Sequence, residues 1–303
     1  MHRRQVLVYA SLALIWGCSF VLVLQTVRAF GWVGAVSFRA LTASAILIVI
    51  AMVSRRRLLF GGGWLSMAVV GATTVAGQLL GLAFATPLIG TAMVAIFVGA
   101  IPLFSMLIGR AWGLERITRS GRAGLVLGFA GIVMLVGFPV APVTGLFLLG
   151  CLTALLGSIS AAFGSNYARR HLRTIGSWEQ TIGAFAFGGL ITLPLLLAVS
   201  VPALPQPIDV LWLVLLASVC SSLAYVLYFR LVAEVGATTA ISVEFLVTVI
   251  AVAIGSLWLG ERLSPIQLVG GAVIIAGCAL VLGLLPRHGR RAASGGAPQV
   301  AGG

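Results

Sequence analysis

The chain reads as a succession of apolar runs, each about one bilayer thickness long, joined by connections too short to fold by themselves. A hydrocarbon core of about 30 Å takes roughly 20 helical residues. Reading the runs between Arg, Gly, Pro and Trp predicts ten helices, over residues 6–24, 33–53, 64–84, 91–109, 122–138, 145–165, 179–201, 211–233, 237–258 and 266–285. Of the 303 residues 60% are hydrophobic and 8% charged, against roughly half and a quarter in soluble domains. A soluble fold is excluded, and no room is left for a sizeable soluble domain. The expected fold class is an all-α integral membrane protein.

Charge sets the expected orientation. All 19 cationic residues are arginines, and arginine resists translocation, so arginine-bearing loops mark the cytoplasmic side. With the N-terminus inside, 16 arginines fall in cytoplasmic segments, only Arg28 and Arg262 fall outside, and Arg39 stays within a span. This predicts cytoplasmic N- and C-termini and an inner (plasma) membrane location. Trp32, Trp64, Trp112, Trp178, Trp212 and Trp258 lie near predicted span ends, where an amphipathic ring is favoured. Trp16 alone sits near the middle of a span. Residues 1–24 resemble a signal peptide, but no small-residue cleavage site follows, so the first helix is expected to be retained. The tail, residues 286–303, has no apolar face to bury and is expected to be disordered and cytoplasmic.

The formal net charge of +13 is topological on this reading. Basic runs with interleaved aromatics are missing, so no nucleic-acid partner is expected. Cys18, Cys151, Cys220 and Cys278 lie in apolar runs without metal-site spacing. His2, His171 and His288 are terminal or in loops. No catalytic constellation, phosphate cradle or cofactor motif accompanies them, so neither an enzyme nor an ATP-driven pump is expected, and no cofactor or metal.

The sequence repeats itself. An offset of 146 residues places Gly90, Gly109, Trp112, Glu115, Arg116, Gly124, Gly131 and Gly137 on Gly236, Gly255, Trp258, Glu261, Arg262, Gly270, Gly277 and Gly283, all identities. Each half then holds five helices, over residues 1–138 and 139–285. Because five is odd, the second half crosses the membrane in the opposite sense. Inverted repeats about an axis in the membrane plane are the architecture of many secondary transporters, with the substrate between the halves.

The stretch LIWGCSF (Leu14–Phe20), Arg39 in the second span, and the repeated Glu-Arg followed by a Gly-rich helix resemble the EamA-like branch of the drug/metabolite transporter superfamily. The resemblance covers residues 6–285. It implies a central cavity surrounded by the first four helices of each half, with the fifth packed peripherally. It also implies export of amino acids, other metabolites or drugs, with relatives that exchange sugar phosphates and nucleotide sugars. One departure stands out. Such halves usually carry a proline where Pro102 lies, but its counterpart here is Thr248, so a paired helix break is not carried over.

Ionisable groups within spans are costly, by roughly 2.5–3.5 kcal/mol at a helix centre, and so should face the bundle interior. Glu244 is a candidate to bind a substrate ammonium or carry a proton; the alternative is a neutral, hydrogen-bonded carboxyl. Arg39 is a candidate for a substrate carboxylate, or for a structural role toward backbone carbonyls. A direct pair between them is left open. Trp16 offers an aromatic wall or ordinary packing. Gln78, within the Gly77/Gly81 small-residue pattern, serves substrate or helix contact. Tyr225 and Tyr228, three apart, share one face of the eighth span, which also carries Ser218, Ser221 and Ser222, a polar concentration unfavourable against lipid. Glu115, Arg116, Glu261 and Arg262 read as loop anchors or gating contacts rather than ligands.

Together these predict a secondary transporter of small organic solutes in a lipid bilayer, working by alternating access, with export the expected direction. Amino acids, aromatic ones included, fit the polar inventory best. Multidrug or sugar-phosphate and nucleotide-sugar transport is the alternative, and a membrane scaffold or membrane-embedded enzyme is the reading from another class.

Overall fold

A computed structural model describes residues 3–114, 118–137, 142–199, 201–202, 204–235, 240 and 242–281. Among the described residues every regular element is helical. The first, Arg3–Val53, has 51 residues, which as one rod would extend about 76 Å at 1.5 Å per residue, over twice the bilayer core. Gly31 breaks it with φ 71°, in a region open to glycine, giving α1 (3–30) and α2 (32–53). Trp16 of α1 and Ala43 of α2 both contact the stretch 220–222. They would lie about 40 Å apart along a straight helix, so the chain doubles back at Gly31. An eight-residue connection predicted between these spans is therefore a single residue.

The other elements are α3 (Trp64–Ile89), α4 (Thr91–Ala111), α5 (Arg119–Gly137), α6 (Gly145–His171), α7 (Ser177–Leu197), α8 (Pro207–Val235), α9 (Val243–Leu257) and α10 (Pro265–Val281). Gly90, φ 83°, makes the turn from α3 to α4 in the same one-residue manner. The last turns of α7 tighten to a 3-10 helix over Leu193–Leu197, around Pro194. In α4, Pro102 lies just beyond an interruption at Ala100, where i to i+3 bonds replace the regular ladder. In α9 the equivalent Thr248 leaves the helix continuous, and its hydroxyl donates to the Glu244 and Ala95 carbonyls.

The repeat is built into the packing. α5 lies against α10 along a glycine seam: a Cβ on Gly131 would fall 2.6 Å from the Gly270 carbonyl, and one on Gly277 would fall 2.6 Å from the Gly124 carbonyl. Gly124 and Gly131 are the repeat equivalents of Gly270 and Gly277. As α5 is followed from Gly124 to Gly131, its partner is met from Gly277 back to Gly270. The two equivalent helices run antiparallel, so the halves are inverted. The other contacts exchange in the same way: α3 with α6 mirrors α8 with α1, and α4 with α6 mirrors α9 with α1.

A second internal match lies in the backbone. α3 widens to a π-helix over Gly71–Gly77 and α8 over Leu216–Leu223, equivalent positions of the two halves. π turns are rare and concentrate at functional sites.

Candidate functional site

Between the halves lies a chamber with roughly 80 Å3 open to the centres of water molecules, room for a handful at about 10–15 Å3 each. Its wall comes from Trp16, Phe20 and Val27 of α1, Val36 and Arg39 of α2, Gln78, Leu82 and Thr86 of α3, Val98 of α4, Leu216 and Tyr225 of α8, and Glu244 and Val247 of α9. Neither α5 nor α10 supplies a lining residue. The chamber extends toward the face where Gly31 and Gly90 turn the chain. A second space of roughly 20 Å3 adjoins it, sharing Trp16, Gln78, Tyr225 and Glu244 and adding Thr74, Ser165 and Tyr228; it has room for about one water. Both π segments border these spaces.

Arg39 is 6% exposed, and its Nε donates to Ser221 Oγ at 2.6 Å. Ser221 in turn donates to the Leu216 carbonyl five residues back, and Ser222 donates to the Ala217 and Ala43 carbonyls. The π turn of α8 thus aims two adjacent hydroxyls at α2. Of the five N–H donors of a guanidinium, only Nε is bound within the described residues, so the arginine is held by one bond while its terminal nitrogens stay available at the chamber wall.

The aromatic residues form one cluster. Trp16 Nε1 donates to the Cys220 carbonyl at 3.1 Å, and its ring meets Tyr225 and Tyr228, each with centroids 5.4 Å apart. Phe185 of α7 closes on Tyr225 at 4.9 Å. Edge-on and tilted pairs at these separations contribute about 0.5–1.5 kcal/mol each beyond area burial, enough to fix the ring orientations. Trp16 therefore spans the junction of the two spaces, tied to α8 by its edge and its face.

Glu244 stands in the first described turn of α9, where the positive end of the helix favours a carboxylate. The predicted span placed it two turns in; residues 236–239 and 241 lie outside the described ones. Among the described residues its carboxylate makes no hydrogen bond and no ion pair, and no direct pair with Arg39 forms. The Gln78 amide likewise bonds to no described residue, although its backbone packs on Gly157. Gly77 and Gly81 on either side meet Ser160, Thr153 and Gly157 of α6, so the small-residue pattern is a packing seam with Gln78 at its edge. Thr74 Oγ1 is buried without a partner among the described residues.

Glu261 lies far from these groups. One oxygen accepts from the backbone N and Oγ1 of Thr91, the other from Ala92 N, all within 2.8 Å. A second-half loop therefore caps a first-half helix. Arg262 beside it is exposed. Glu115 and Arg116, the repeat equivalents, lie outside the described residues. Sequence reasoning noted Ser221 only as one of a group with Ser218 and Ser222 and did not single out Thr74 or Ser165, because serines and threonines abound in these helices and only the fold shows which ones face inward.

The EamA-like transporter family profile matches residues 4–137 and 148–283. The uncharacterized inner membrane transporter YedA of Escherichia coli (strain K12) is 27% identical over 283 residues, covering 89% of this chain and 88% of its own. Protein PecM of Dickeya dadantii (strain 3937) is 27% identical over 271 residues, covering 88% of each. A solved crystal structure superposes with a TM-score of 0.69 over 94% of this chain and 98% of its own, at 16% identity, a likeness of fold alone. With ten apolar helices among the described residues, in two inverted halves about a lined chamber, and a family match to each half, the chain belongs to the EamA-like transporter family and is a multi-pass membrane transporter of the drug/metabolite type.

Proposed function

We propose that this transporter exports amino acids, aromatic ones among them, across the inner membrane. The observation that carries the reading is the chamber's unpaired polar set. Arg39 and Glu244, from opposite halves, both line it without neutralising each other, and Trp16, Tyr225 and Phe20 supply aromatic surface beside them. A zwitterion with an apolar side chain answers all three: its carboxylate to Arg39, its ammonium to Glu244, its side chain to the aromatic wall. Phosphorylated solutes would bring more negative charge than one chamber arginine offsets.

On this reading residues 1–138 and 139–285 are the two moving halves, and exchange of their conformations opens the chamber to alternate sides. The face bearing Arg55–Arg57, Arg169, Arg170 and Arg173 is cytoplasmic, with both termini on that side. Glu261 is a gating anchor: its bonds to Thr91 and Ala92 join the halves on the outer face. Glu244 carries the coupling proton when its ammonium partner is absent.

The test is counterflow in proteoliposomes loaded with unlabelled amino acid, offering labelled phenylalanine, leucine, lysine and glutamate in parallel. Saturable exchange of phenylalanine and leucine is expected. Folded protein that exchanges none of the four overturns the substrate assignment and moves the search to drugs and phosphorylated metabolites.

A further inference from the structure

A space larger than either central one opens on the arginine-rich face. This vestibule, with roughly 480 Å3 open to the centres of water molecules, lies between the end of α6, the α6–α7 connection and α8. Three guanidinium side chains line it: Arg169, Arg173 and Arg230. Arg173 is folded back on its own helix end, its Nε donating to the Arg169 carbonyl at 2.7 Å. Arg230 pairs with Glu234 at 2.9 Å, which offsets one of the three charges. Glu179, the other nearby carboxylate, is buried and accepts from Leu59 N. Among the described residues the vestibule keeps a positive excess, three arginines against Glu179 and Glu234, whereas the central chamber holds one arginine and one glutamate.

The vestibule is contiguous with the transport route. Ser165 and Tyr228 line both it and the small inner space. That inner space in turn shares Trp16, Gln78, Tyr225 and Glu244 with the central chamber. From the arginine-rich face inward, the lined spaces form a chain with a tyrosine and a serine as the partition between the first and the second.

We propose that this vestibule is an anion-binding antechamber that takes the carboxylate end of the solute before it passes Tyr228 and Ser165. The inference rests on the export reading for the identity of the solute, and on the vestibule alone for its charge preference. A cleft with low-dielectric walls focuses the field of its charges and concentrates ions of opposite sign. Arginines placed only to fix topology need no shared cavity and no path inward. The carboxylate leads, is drawn by Arg173 and Arg230, passes the inner space that Glu244 borders and reaches Arg39 in the central chamber; the ammonium follows and stops at Glu244.

The charge preference is measured without any transport. Ser177 lines the vestibule, and Ser177→Cys in a Cys18→Ala background places a thiol there, the other native cysteines being buried. In neutral-lipid nanodiscs its reaction rates with a sulfonate and with a trimethylammonium methanethiosulfonate are compared, each normalised to a small free thiol. The anionic reagent is expected to be favoured about tenfold, an effect that Arg173→Gln with Arg230→Gln cuts at least fivefold and 0.5 M salt largely removes. A ratio equal to that of the free thiol, or one indifferent to both substitutions, overturns the proposal. A marked slowing of the anionic reagent on adding phosphatidylglycerol also overturns it, since the vestibule would then hold a lipid headgroup. In a second arm, uptake of labelled phenylalanine is followed in inside-out and right-side-out vesicles. The double substitution is expected to raise KM about three- to tenfold from the arginine-rich face and to leave the opposite face unchanged; an equal rise on both faces counts against the antechamber. If the unsubstituted protein moves no phenylalanine, the substrate assignment fails while the thiol ratio still decides the vestibule.

Discussion

The π turn in α3 and the π turn in α8 occupy equivalent positions of the two halves, yet they present different chemistry to the same chamber. The first brings Thr74 and, just beyond it, Gln78; the second brings Ser221, which holds Arg39, and Tyr225 beyond it. The contrast continues along the repeat. Gln78 corresponds to Ala224, Tyr225 to Leu79, and Glu244 to Val98, and of these Leu79, Tyr225, Val98 and Glu244 all line the chamber. The π turns, glycine seam and inter-helix contacts obey the symmetry, while the break at Ala100 and the polar and aromatic groups depart from it. A chamber between inverted halves can be symmetric in shape, but an asymmetric solute with one cationic and one anionic end needs different groups on its two sides.

The strongest test of that division removes it. Glu244→Val makes position 244 match Val98, and counterflow is expected to fall at least about 100-fold, about 2.7 kcal/mol of lost stabilisation, with the thermal midpoint retained. Undiminished flux in folded Glu244→Val would show that the asymmetry carries no transport role. The companion Val98→Glu, combined with Glu244→Val, asks whether the carboxylate works from the other side of the axis, and partial recovery is expected.

Breaking the symmetric part should act on stability instead. Gly131→Val places side-chain atoms against the Gly270 carbonyl, whose backbone has no rotamer with which to retreat, and overpacking of this kind costs about 1–3 kcal/mol. A lowered thermal midpoint with little change in KM for the protein that survives is expected; an unshifted midpoint would mean the seam yields easily. Smaller still is Arg39→Lys, which keeps the charge but loses the Nε bond to Ser221. Apparent affinity for phenylalanine is expected to drop about tenfold, roughly 1.4 kcal/mol, in a binding assay on purified protein, whereas unchanged affinity would remove Arg39 from the carboxylate site. Smallest is Trp16→Phe, which keeps an aromatic ring but loses the bond to the Cys220 carbonyl. A net hydrogen bond contributes about 0.5–1.5 kcal/mol, so a two- to tenfold rise in KM is expected, and a larger loss would mean that the indole itself contacts solute.

Why some of this was legible in the sequence follows from what each signal depends on. Hydropathy alone sets the number of spans, because the bilayer demands a fixed length of apolar helix. The repeated glycines and the odd count per half gave the inversion, and four of those glycines, Gly124, Gly131, Gly270 and Gly277, proved to form the α5–α10 contact. Helix rotation was not legible. A membrane helix is apolar all round, so it has no polar stripe to mark which side faces the interior. For that reason Ser221 stood out no more than Ser218, which bonds only within its own helix and is half-buried. Trp16, Arg39, Gln78, Tyr225 and Glu244 stood out by the cost of burying them in lipid, and the fold places all five on the chamber wall, with Tyr228 on the inner space beside it. The one-residue turn at Gly31 escaped notice because a chain with 38 glycines does not mark which of them turns the backbone, and the π turns because several residue types tolerate their backbone angles.

The paired π turns carry a consequence for the history of the chain. A π turn amounts to one residue inserted into an α-helix, and an insertion at the same place in both halves is more simply inherited than acquired twice. The insertion would then predate the duplication, and the ancestor would have been a five-helix protein already bearing it. Such a protein, inserting in both orientations and pairing with a copy of itself, would have had a chamber with identical walls. The divergence of Glu244 from Val98 and of Tyr225 from Leu79 is what fusing the two genes made available, since only then could each wall change without changing the other.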